Sequence, residues 1–336
     1  MKKFFIIIGS VLLALVVAGF FYFFVGKSRP AEKIDFGVTF SKIYAEELGL
    51  DWKEAFLATL DDLKVKKLRL VAYWPEIEPN QGNFDFKELD WQINEAEQRG
   101  AEIILAVGRR LPRWPECHIP DWAKRLSEKE QQEKVLAVIS EVIRHYKNEE
   151  AIKFWQIENE PFLGTFGQCP KLDKKFLDKE IALARSLDNP STGSGQARPT
   201  IITESGEFST WIGAARRADI VGTTLYRKVH GKLGYIRYPI PAIFYSRKAA
   251  LIKKFFNIDK IIIVELAAEP WGAEQTWELS LEEQLKLMNI EEFEGSIDYA
   301  RRTGFSEAYL WGAEWWYWLK TKYNNESMWE EAKKLF

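Results

Sequence analysis

The stretch Ile261-Ile262-Ile263-Val264-Glu265 is a short apolar run that ends on a carboxylate. Similar apolar runs recur along the chain and alternate with amphipathic helical stretches, which predicts a parallel sheet with crossover helices. The predicted strands are Ile34–Phe40, Leu68–Tyr73, Glu102–Val107, Lys153–Ile157, Thr200–Thr203, Ile220–Thr224, Ile261–Val264 and Ala308–Trp311. Eight parallel strands, each followed by a helix, make a closed (β/α)₈ TIM barrel, which is the fold that we predict.

An open doubly wound sheet would also alternate strands and helices. Such a sheet binds nucleotides through a glycine-rich loop after its first strand, but Phe36-Gly37-Val38-Thr39 stands at that place. The closed barrel is therefore favoured.

Two predicted helices have clear beginnings. Ser127 and Ser280 are each followed three residues later by a glutamate, Glu130 and Glu283. Serine and glutamate at this spacing satisfy free backbone N–H groups in the first turn of a helix. We therefore expect a helix to begin at each of these serines.

The N-terminus carries an almost unbroken apolar run, Phe4 to Val25, after Met1-Lys2-Lys3. This length suits a helix that crosses a bilayer, since the hydrocarbon core needs about 20 apolar residues. A cleavable signal peptide has an apolar core of roughly 7 to 15 residues and small residues at the cut site, and neither feature is clear here. We predict an uncleaved transmembrane signal anchor at residues 4–25, and a cleaved signal peptide is the alternative.

The charges beside this run predict its orientation. Lys2 and Lys3 favour a cytoplasmic N-terminus at residues 1–3, although basic residues also follow the run. Residues 26–33 then form a linker, and residues 34–336 form one barrel domain outside the cytoplasm. The sequence therefore predicts a single-pass protein of the cell membrane.

The composition excludes one class of partner and favours another. Lys and Arg number 47 against 49 Asp and Glu, a net charge of −2, so the chain lacks the basic excess that neutralises nucleic-acid phosphates. The chain also holds 14 Trp and 12 Tyr, whose apolar faces suit the C–H faces of sugar rings, although aromatic residues also fill cores. We expect a carbohydrate partner and no nucleic acid.

Two cysteines, Cys117 and Cys169, fall in loops that we predict on the same face of the barrel, after neighbouring strands. An exported domain can oxidise them to a disulfide, and a pair of free thiols is the alternative. Two thiols without a histidine cluster make a poor zinc site, so we predict no metal and no other cofactor.

The chemistry of a barrel lies at the C-terminal ends of its strands. Glu158-Asn159-Glu160-Pro161 follows the fourth strand and Glu265 ends the seventh, and these two strands lie across a small barrel from each other. Hydrolysis of a glycoside needs two carboxyl groups beside the scissile bond, and a separation of about 5 to 5.5 Å gives retention of configuration. Glu269 is the rival of Glu265 for the second carboxyl group. Glu158 should point away from the site, because adjacent strand residues face opposite sides.

Asn159-Glu160-Pro161, together with Glu265, resembles clan A of the glycoside hydrolases. The second strand agrees, because Arg69 precedes Trp74-Pro75-Glu76-Ile77-Glu78-Pro79-Asn80-Gln81-Gly82-Asn83-Phe84-Asp85-Phe86, which is similar to the W-x-x-I-E-P-x-x-G-x-F-D-F run of the clan's beta-galactosidase and cellulase-like members. Many members carry a histidine near the end of the third or sixth strand, whereas Gly108-Arg109-Arg110 follows the third strand here.

The resemblance implies a retaining enzyme on a TIM barrel, with Glu160 as acid/base and Glu265 as nucleophile. It further implies that Asn159 bonds the sugar 2-hydroxyl and that Arg69 holds the nucleophile ionised. Other residues expected to bind substrate are Tyr226, which donates to the nucleophile, Trp311, a sugar platform, and the loop tryptophans Trp74 and Trp114. The alternative for the loop tryptophans is that some of them only close the end of the barrel.

The function implied is double-displacement hydrolysis of O-glycosidic bonds in a β-linked oligo- or polysaccharide. A catalytically silent, membrane-anchored carbohydrate-binding barrel is the alternative, although binding alone needs neither Glu160 nor Glu265. A metal-dependent hydrolase ranks last, because the chain has three His and none stands at a strand end in an H-x-H arrangement. The pattern leaves the linkage, exo or endo action, and the oligomeric state open.

Overall fold

A computed structural model describes residues 2–188, 197–231 and 234–336 of the chain. Its strands are β1 (Asp35–Thr39), β2 (Lys67–Val71), β3 (Glu102–Val107), β4 (Ile152–Ile157), β5 (Thr200–Glu204), β6 (Ile220–Leu225), β7 (Lys228–Gly231), β8 (Gly234–Arg237), β9 (Lys260–Leu266) and β10 (Glu307–Leu310). Eight of them close a parallel barrel in the order β1-β10-β9-β6-β5-β4-β3-β2. The predicted TIM barrel is confirmed, and every predicted strand end lies within two residues of the observed one.

The α-helices are α1 (Lys2–Phe24), α2 (Lys42–Glu47), α3 (Trp52–Asp61), α4 (Trp74–Ile77), α5 (Lys87–Gln98), α6 (Glu128–Tyr146), α7 (Lys174–Leu187), α8 (Ile212–Ala215), α9 (Ala242–Phe255), α10 (Leu281–Leu287), α11 (Ile290–Thr303), α12 (Ala313–Tyr323) and α13 (Ser327–Lys333). Capping boxes open α6 at Ser127 and α10 at Ser280, as predicted. Both helix beginnings are therefore fixed by side chains that satisfy backbone N–H groups.

Two apolar layers make the core. Ile262 and Val264 of β9 pack inside the barrel with inward residues of the other strands, whereas Ile261 and Ile263 pack outside, under the helices. Successive strand residues face opposite sides, and both sides are buried here. This explains why β9 reads as an unbroken apolar run.

The antiparallel pair β7 and β8 lies outside the barrel and was not predicted from the sequence. Each of these strands has four residues with mixed polarity, including Lys228 and His230. A run this short gives little apolar alternation to recognise. The pair extends the connection between β6 and α9.

The N-terminal helix α1 contains one segment, Ile7–Phe24, that is long and apolar enough to cross a membrane, with a mean hydropathy of 2.5. A signal sequence near the N-terminus has the same properties. None of the segment is buried within the protein. The end of α1 rests against α9, where the rings of Phe23 and Phe24 lie 5.7 and 5.4 Å from that of Phe244.

The two cysteines form a disulfide, so the first of the two sequence alternatives is observed. Cys117 and Cys169 have Cα atoms 5.2 Å apart and join the loop after β3 to the loop after β4. Both loops lie at the C-terminal ends of their strands. The bond therefore ties together two walls of the barrel mouth.

Candidate active site

Glu265 lies at the mouth of the barrel and is 3% exposed. In the pairing of β9 with β6, Thr223 lies opposite Ile263 and Thr224 lies opposite Glu265, so Val264 has no partner on β6. Such a bulge changes the direction of the side chain that follows. Glu265 therefore faces the mouth although Val264, its neighbour, already faces inward.

Two donors hold the Glu265 carboxylate. Arg69 Nη1 donates to Oε1 at 3.0 Å, and the Tyr226 hydroxyl donates to Oε2 at 2.9 Å. Arg69 is fully buried, so water screens its charge little. The Trp311 indole N–H donates in turn to the Tyr226 oxygen at 3.1 Å, which fixes the direction of the tyrosine proton. Both carboxylate oxygens of Glu265 therefore accept a hydrogen bond from a side chain.

Glu160 lies at the same mouth and is 5% exposed. Its φ of 42° is in the left-handed region, and its backbone N–H donates to Thr203 Oγ1 at 2.7 Å. Thr224 Oγ1 donates to Glu160 Oε1 at 3.4 Å. Burial raises the pKa of Glu160 well above its ordinary value, and the negative charge of Glu265 raises it further. Both causes favour the protonated form of Glu160.

Asn159 is held rigidly beside the pair. Its Oδ1 accepts from Arg69 Nη2 at 2.7 Å, from Gln156 Nε2 at 3.3 Å and from Thr203 Oγ1 at 3.2 Å. Because three donors point at this atom, it is the carbonyl oxygen of the amide. The amide nitrogen Nδ2 is therefore the atom that can donate to other groups.

The structure adds a third buried carboxyl group, Glu116, which the sequence did not predict. Asn159 Nδ2 donates to Glu116 Oε2 at 3.3 Å, and Arg110 Nε lies 3.8 Å from the same oxygen. Burial and the negative charge of Glu265 together raise the pKa of Glu116 to about 8. Glu116 stands nine residues beyond the end of β3, in a loop whose path the sequence pattern does not predict.

Glu269, the rival nucleophile, is bound in a different cluster. Arg113 forms an ion pair with both of its carboxylate oxygens and lies 3.7 Å from Glu314 Oε2. The guanidinium of Arg113 is sandwiched between Tyr44 and Trp311, at 3.7 and 4.0 Å from the ring centroids. Glu269 is therefore bound by Arg113, whereas Glu265 is bound by Arg69 and Tyr226.

Trp311 and Trp114, two of the expected sugar-binding aromatics, lie at the mouth. One face of the Trp311 ring is covered by Arg113, and the side chain is 4% exposed. Trp114 is 47% exposed and begins a row of aromatic contacts. The row continues through Phe166 and Trp271 to Tyr226, with centroid distances of 6.0, 5.6 and 4.9 Å.

Trp74 was expected from the sequence to bind substrate or to close the end of the barrel, and its contacts favour the second role. The side chain is fully buried, its indole N–H donates to Glu78 Oε2 at 2.8 Å, and its ring packs edge-on against Trp122. A ring packed in this way offers no face to a sugar. Trp74 is part of the core that supports the loop after β2.

Glu158 points away from the pair, as the alternation of strand residues predicts. Its two oxygens accept the backbone N–H groups of Arg109 and Arg110 at 2.8 and 2.6 Å. Within the part of the chain that the structure describes, no group of three or more His, Cys, Asp or Glu side chains is arranged to hold a metal ion.

Two comparisons of the sequence found relatives. A family model described as beta-galactosidase, of glycoside hydrolase family 42, matches residues 51–185, which include Arg69, Asn159 and Glu160. The beta-galactosidase BgaA of Clostridium cellulovorans is 26% identical over 171 residues, which are 45% of this chain and 25% of that protein. The chain thus spans about a quarter of the length of that relative.

Solved structures share the barrel. The beta-galactosidase from Rahnella sp. R3 has a TM-score of 0.59 and 13% identity, over 92% of this chain and 57% of that one. Xylanase 10B from Thermotoga maritima has a TM-score of 0.55 and 15% identity, over 83% of each chain. A GH5_18 protein from Bifidobacterium longum subsp. longum has a TM-score of 0.56 and 14% identity, over 83% of this chain and 70% of that one. At these identities the likeness shows the fold.

The matched family model and the curated relative are both beta-galactosidases, which are glycoside hydrolases. Over the matched segment the chain is thus similar to the clan A glycoside hydrolases, and it has the closed barrel fold of the solved structures above.

Proposed function

We propose that this protein is a retaining glycoside hydrolase, with Glu160 as the acid/base and Glu265 as the nucleophile. The observation that carries the proposal is the contrast between two buried carboxyl groups at one barrel mouth. Glu265 accepts from a buried arginine and a tyrosine, while the pKa of Glu160 is raised well above its ordinary value. One group is suited to attack and the other to give a proton.

In the first step Glu160 gives its proton to the glycosidic oxygen while the Glu265 carboxylate attacks the anomeric carbon. The bond to the leaving group breaks, and an ester forms between the sugar and Glu265. Esterification removes the negative charge of Glu265, which is one cause of the raised pKa of Glu160. That pKa therefore falls, and Glu160 can take a proton from the water that hydrolyses the ester.

Arg69 and Asn159 support both steps. Arg69 holds Glu265 and, through Nη2, the Asn159 oxygen, so a single buried cation sets the position of both side chains. The Nδ2 of Asn159 is the end of the amide that can donate to a sugar 2-hydroxyl, once it leaves Glu116 or shares its two protons. Such a bond strengthens in the transition state.

We further propose that α1 is an uncleaved anchor, so that the barrel works outside the cytoplasm on a β-linked oligo- or polysaccharide. The apolar length of α1 supports the anchor. The disulfide between Cys117 and Cys169 supports an oxidising compartment. Trp114, the first ring of the aromatic row, supports a sugar chain as substrate, because it is 47% exposed and its apolar face suits the C–H face of a sugar.

The acid role of Glu160 is tested with aryl glycosides whose leaving groups differ in acidity. A phenol of low pKa departs without a proton, so Glu160→Gln should slow a glycoside with a poor leaving group far more than an activated one. The ratio of kcat/KM between wild type and variant is measured for each. Equal losses for both substrates contradict the assignment.

The nucleophile is tested by trapping. A panel of activated 2-deoxy-2-fluoro glycosides is incubated with the full chain, and the labelled peptide is found by mass spectrometry. A sugar on Glu265 is the expected result, and it also identifies the accepted glycone. Glu269→Gln is the matched control and should be labelled like the wild type. A label on Glu269 overturns the assignment, and a folded protein with neither label nor turnover favours the carbohydrate-binding barrel.

A further inference from the structure

An apolar groove of about 390 Å³ runs along the outer side of α9. Its walls come from three parts of the chain: α9 itself, the segment 209–212 after β5, and the end of α1. The apolar residues that line it include Phe23, Ile212, Phe244, Leu251, Phe255 and Phe256. Because Phe23 lies in the last turn of α1, the groove continues directly from the end of the apolar helix.

The end of α1 is fixed to this side of the barrel. A basic side chain near the C-terminus of a helix can bond the last carbonyl groups, and the Arg247 guanidinium does so at the end of α1. It donates to the carbonyl oxygens of Phe21 at 3.2 Å and Val25 at 2.9 Å, while its cation lies 5.0 Å from the centre of the Tyr22 ring. Because Arg247 lies on α9, these contacts place the end of α1 against the α9 side of the barrel.

That wall exposes large aromatic side chains beside basic ones. Phe255 is 69% exposed and Phe208, next to the groove residue Ser209, is 68% exposed. Lys253 and Lys254 are exposed in the last turn of α9, beside Phe255. Exposed apolar rings surrounded by lysines suit an interface that is apolar inside and anionic at its surface.

We propose that the groove and the exposed end of α9 rest on an anionic lipid bilayer, with Phe255 inserted among the acyl chains and Lys253 and Lys254 at the phosphate groups. The proposal rests on membrane anchoring by α1 and adds a second contact to it. Because α9 lies along the side of the barrel, the barrel axis then runs along the membrane surface. The mouth that holds Glu160 and Glu265 consequently opens sideways rather than away from the membrane.

The test uses the full chain in vesicles of phosphatidylcholine, with or without phosphatidylglycerol. Phe255→Cys is labelled with an environment-sensitive fluorophore, since both native cysteines lie in the disulfide. Glu97→Cys is the matched control, because it is exposed on α5, which lies across the barrel from α9. Flotation with the vesicles is measured first, and a soluble quencher of the fluorophore is then added.

We expect a blue-shifted emission and several-fold slower quenching at position 255 than at position 97, most strongly with phosphatidylglycerol. Lys253→Glu with Lys254→Glu should remove the effect of phosphatidylglycerol and leave hydrolysis of a soluble aryl glycoside unchanged. If the protein floats but quenching is equal at positions 255 and 97, the proposed contact of α9 with the bilayer is wrong and the anchor role of α1 still stands. Protein that does not float overturns both, and neither result bears on the roles of Glu160 and Glu265.

Discussion

Glu116 brings a third buried carboxyl group to the mouth of the barrel, beside Glu160 and Glu265. Its charge is one of the causes that raise the pKa of Glu160. The pKa of Glu116 itself is about 8, so it gains this charge only in alkaline solution. In the wild type, ionisation of Glu116 should therefore keep Glu160 protonated to higher pH than Glu265 alone would.

Glu116→Gln should move the alkaline limb of the pH profile of kcat/KM to lower pH. The amide keeps a hydrogen-bonding group next to Asn159 but gains no charge, so Glu160 loses its proton earlier. The profile is measured with an aryl glycoside that has a poor leaving group, because that substrate depends on the acid. Glu269→Gln is the control and should leave the limb in place. An unchanged limb in Glu116→Gln contradicts the coupling.

Tyr226→Phe should lower kcat/KM by roughly tenfold to a hundredfold, because the Glu265 carboxylate loses one charge-assisted hydrogen bond of about 1.5 to 3 kcal/mol. The Trp311 indole loses its acceptor as well. Hydrolysis of an activated aryl glycoside is measured, and Tyr323→Phe on an exposed part of α12 serves as control. Activity equal to that of the control variant would remove Tyr226 from the site.

Strand-end residues were predictable, and loop residues were not. Arg69 lies within β2, and Asn159 and Tyr226 come within two residues of the ends of β4 and β6. Parallel strands bring their C-terminal ends to one place whatever the loops do. Glu116 and Arg113 lie in the loop after β3, whose path depends on backbone with positive φ at both residues and on the disulfide at Cys117. The spacing of apolar residues in the sequence predicts neither the positive φ angles nor the disulfide.

Among the helices and strands, features that depend on local sequence were also predictable, and features that depend on a distant partner were not. The capping boxes at Ser127 and Ser280 act within one turn, so a local pattern suffices to predict where α6 and α10 begin. The bulge at Val264 arises between β9 and its partner β6, and a sequence pattern within β9 does not contain that partner. The bulge nevertheless decides where Glu265 points.

The loops after β3 and β4 are joined by the disulfide across 52 residues of sequence. Closing a loop of this length in the unfolded chain removes conformational entropy worth about 4 kcal/mol in the chain-entropy description. Cys117→Ser with Cys169→Ser should therefore lower the free energy of unfolding in urea by about 2 to 4 kcal/mol. Wild type under reducing conditions should match the variant, and a variant as stable as oxidised wild type contradicts the expectation.

Across the whole molecule, several buried carboxyl groups have raised pKa values. Burial and neighbouring charges raise the pKa of Glu116 to about 8 and that of Glu314 to about 7, and those of Glu160 and Glu180 well above the ordinary 4.5. Between pH 4.5 and these values the folded protein binds protons that the unfolded chain has lost. The free energy of unfolding must then fall as pH rises.

Two groups act in the opposite direction. Burial lowers the pKa of His118 from 6.5 to about 4, which makes stability rise with pH between those values. Burial also lowers the pKa of Lys248 from 10.5 to about 7, and its contribution rises only above pH 7. Between pH 5 and pH 7 the buried carboxyl groups therefore oppose a single histidine, and their effect prevails.

The midpoint of thermal unfolding should accordingly fall from pH 5 to pH 7, and Glu180→Gln should flatten that fall. Glu180 lies on α7, outside the mouth, where the charge of Glu158 raises its pKa and its Oε1 has no hydrogen-bond partner among the described residues. The amide cannot titrate, so the variant loses one group's slope of at most about 1.4 kcal/mol per pH unit. Glu97→Gln, exposed on α5, should keep the wild-type slope. A midpoint that is constant or rises over this range means that the buried carboxyl groups are ionised at neutral pH, and an unchanged slope in Glu180→Gln means that Glu180 does not titrate over this range.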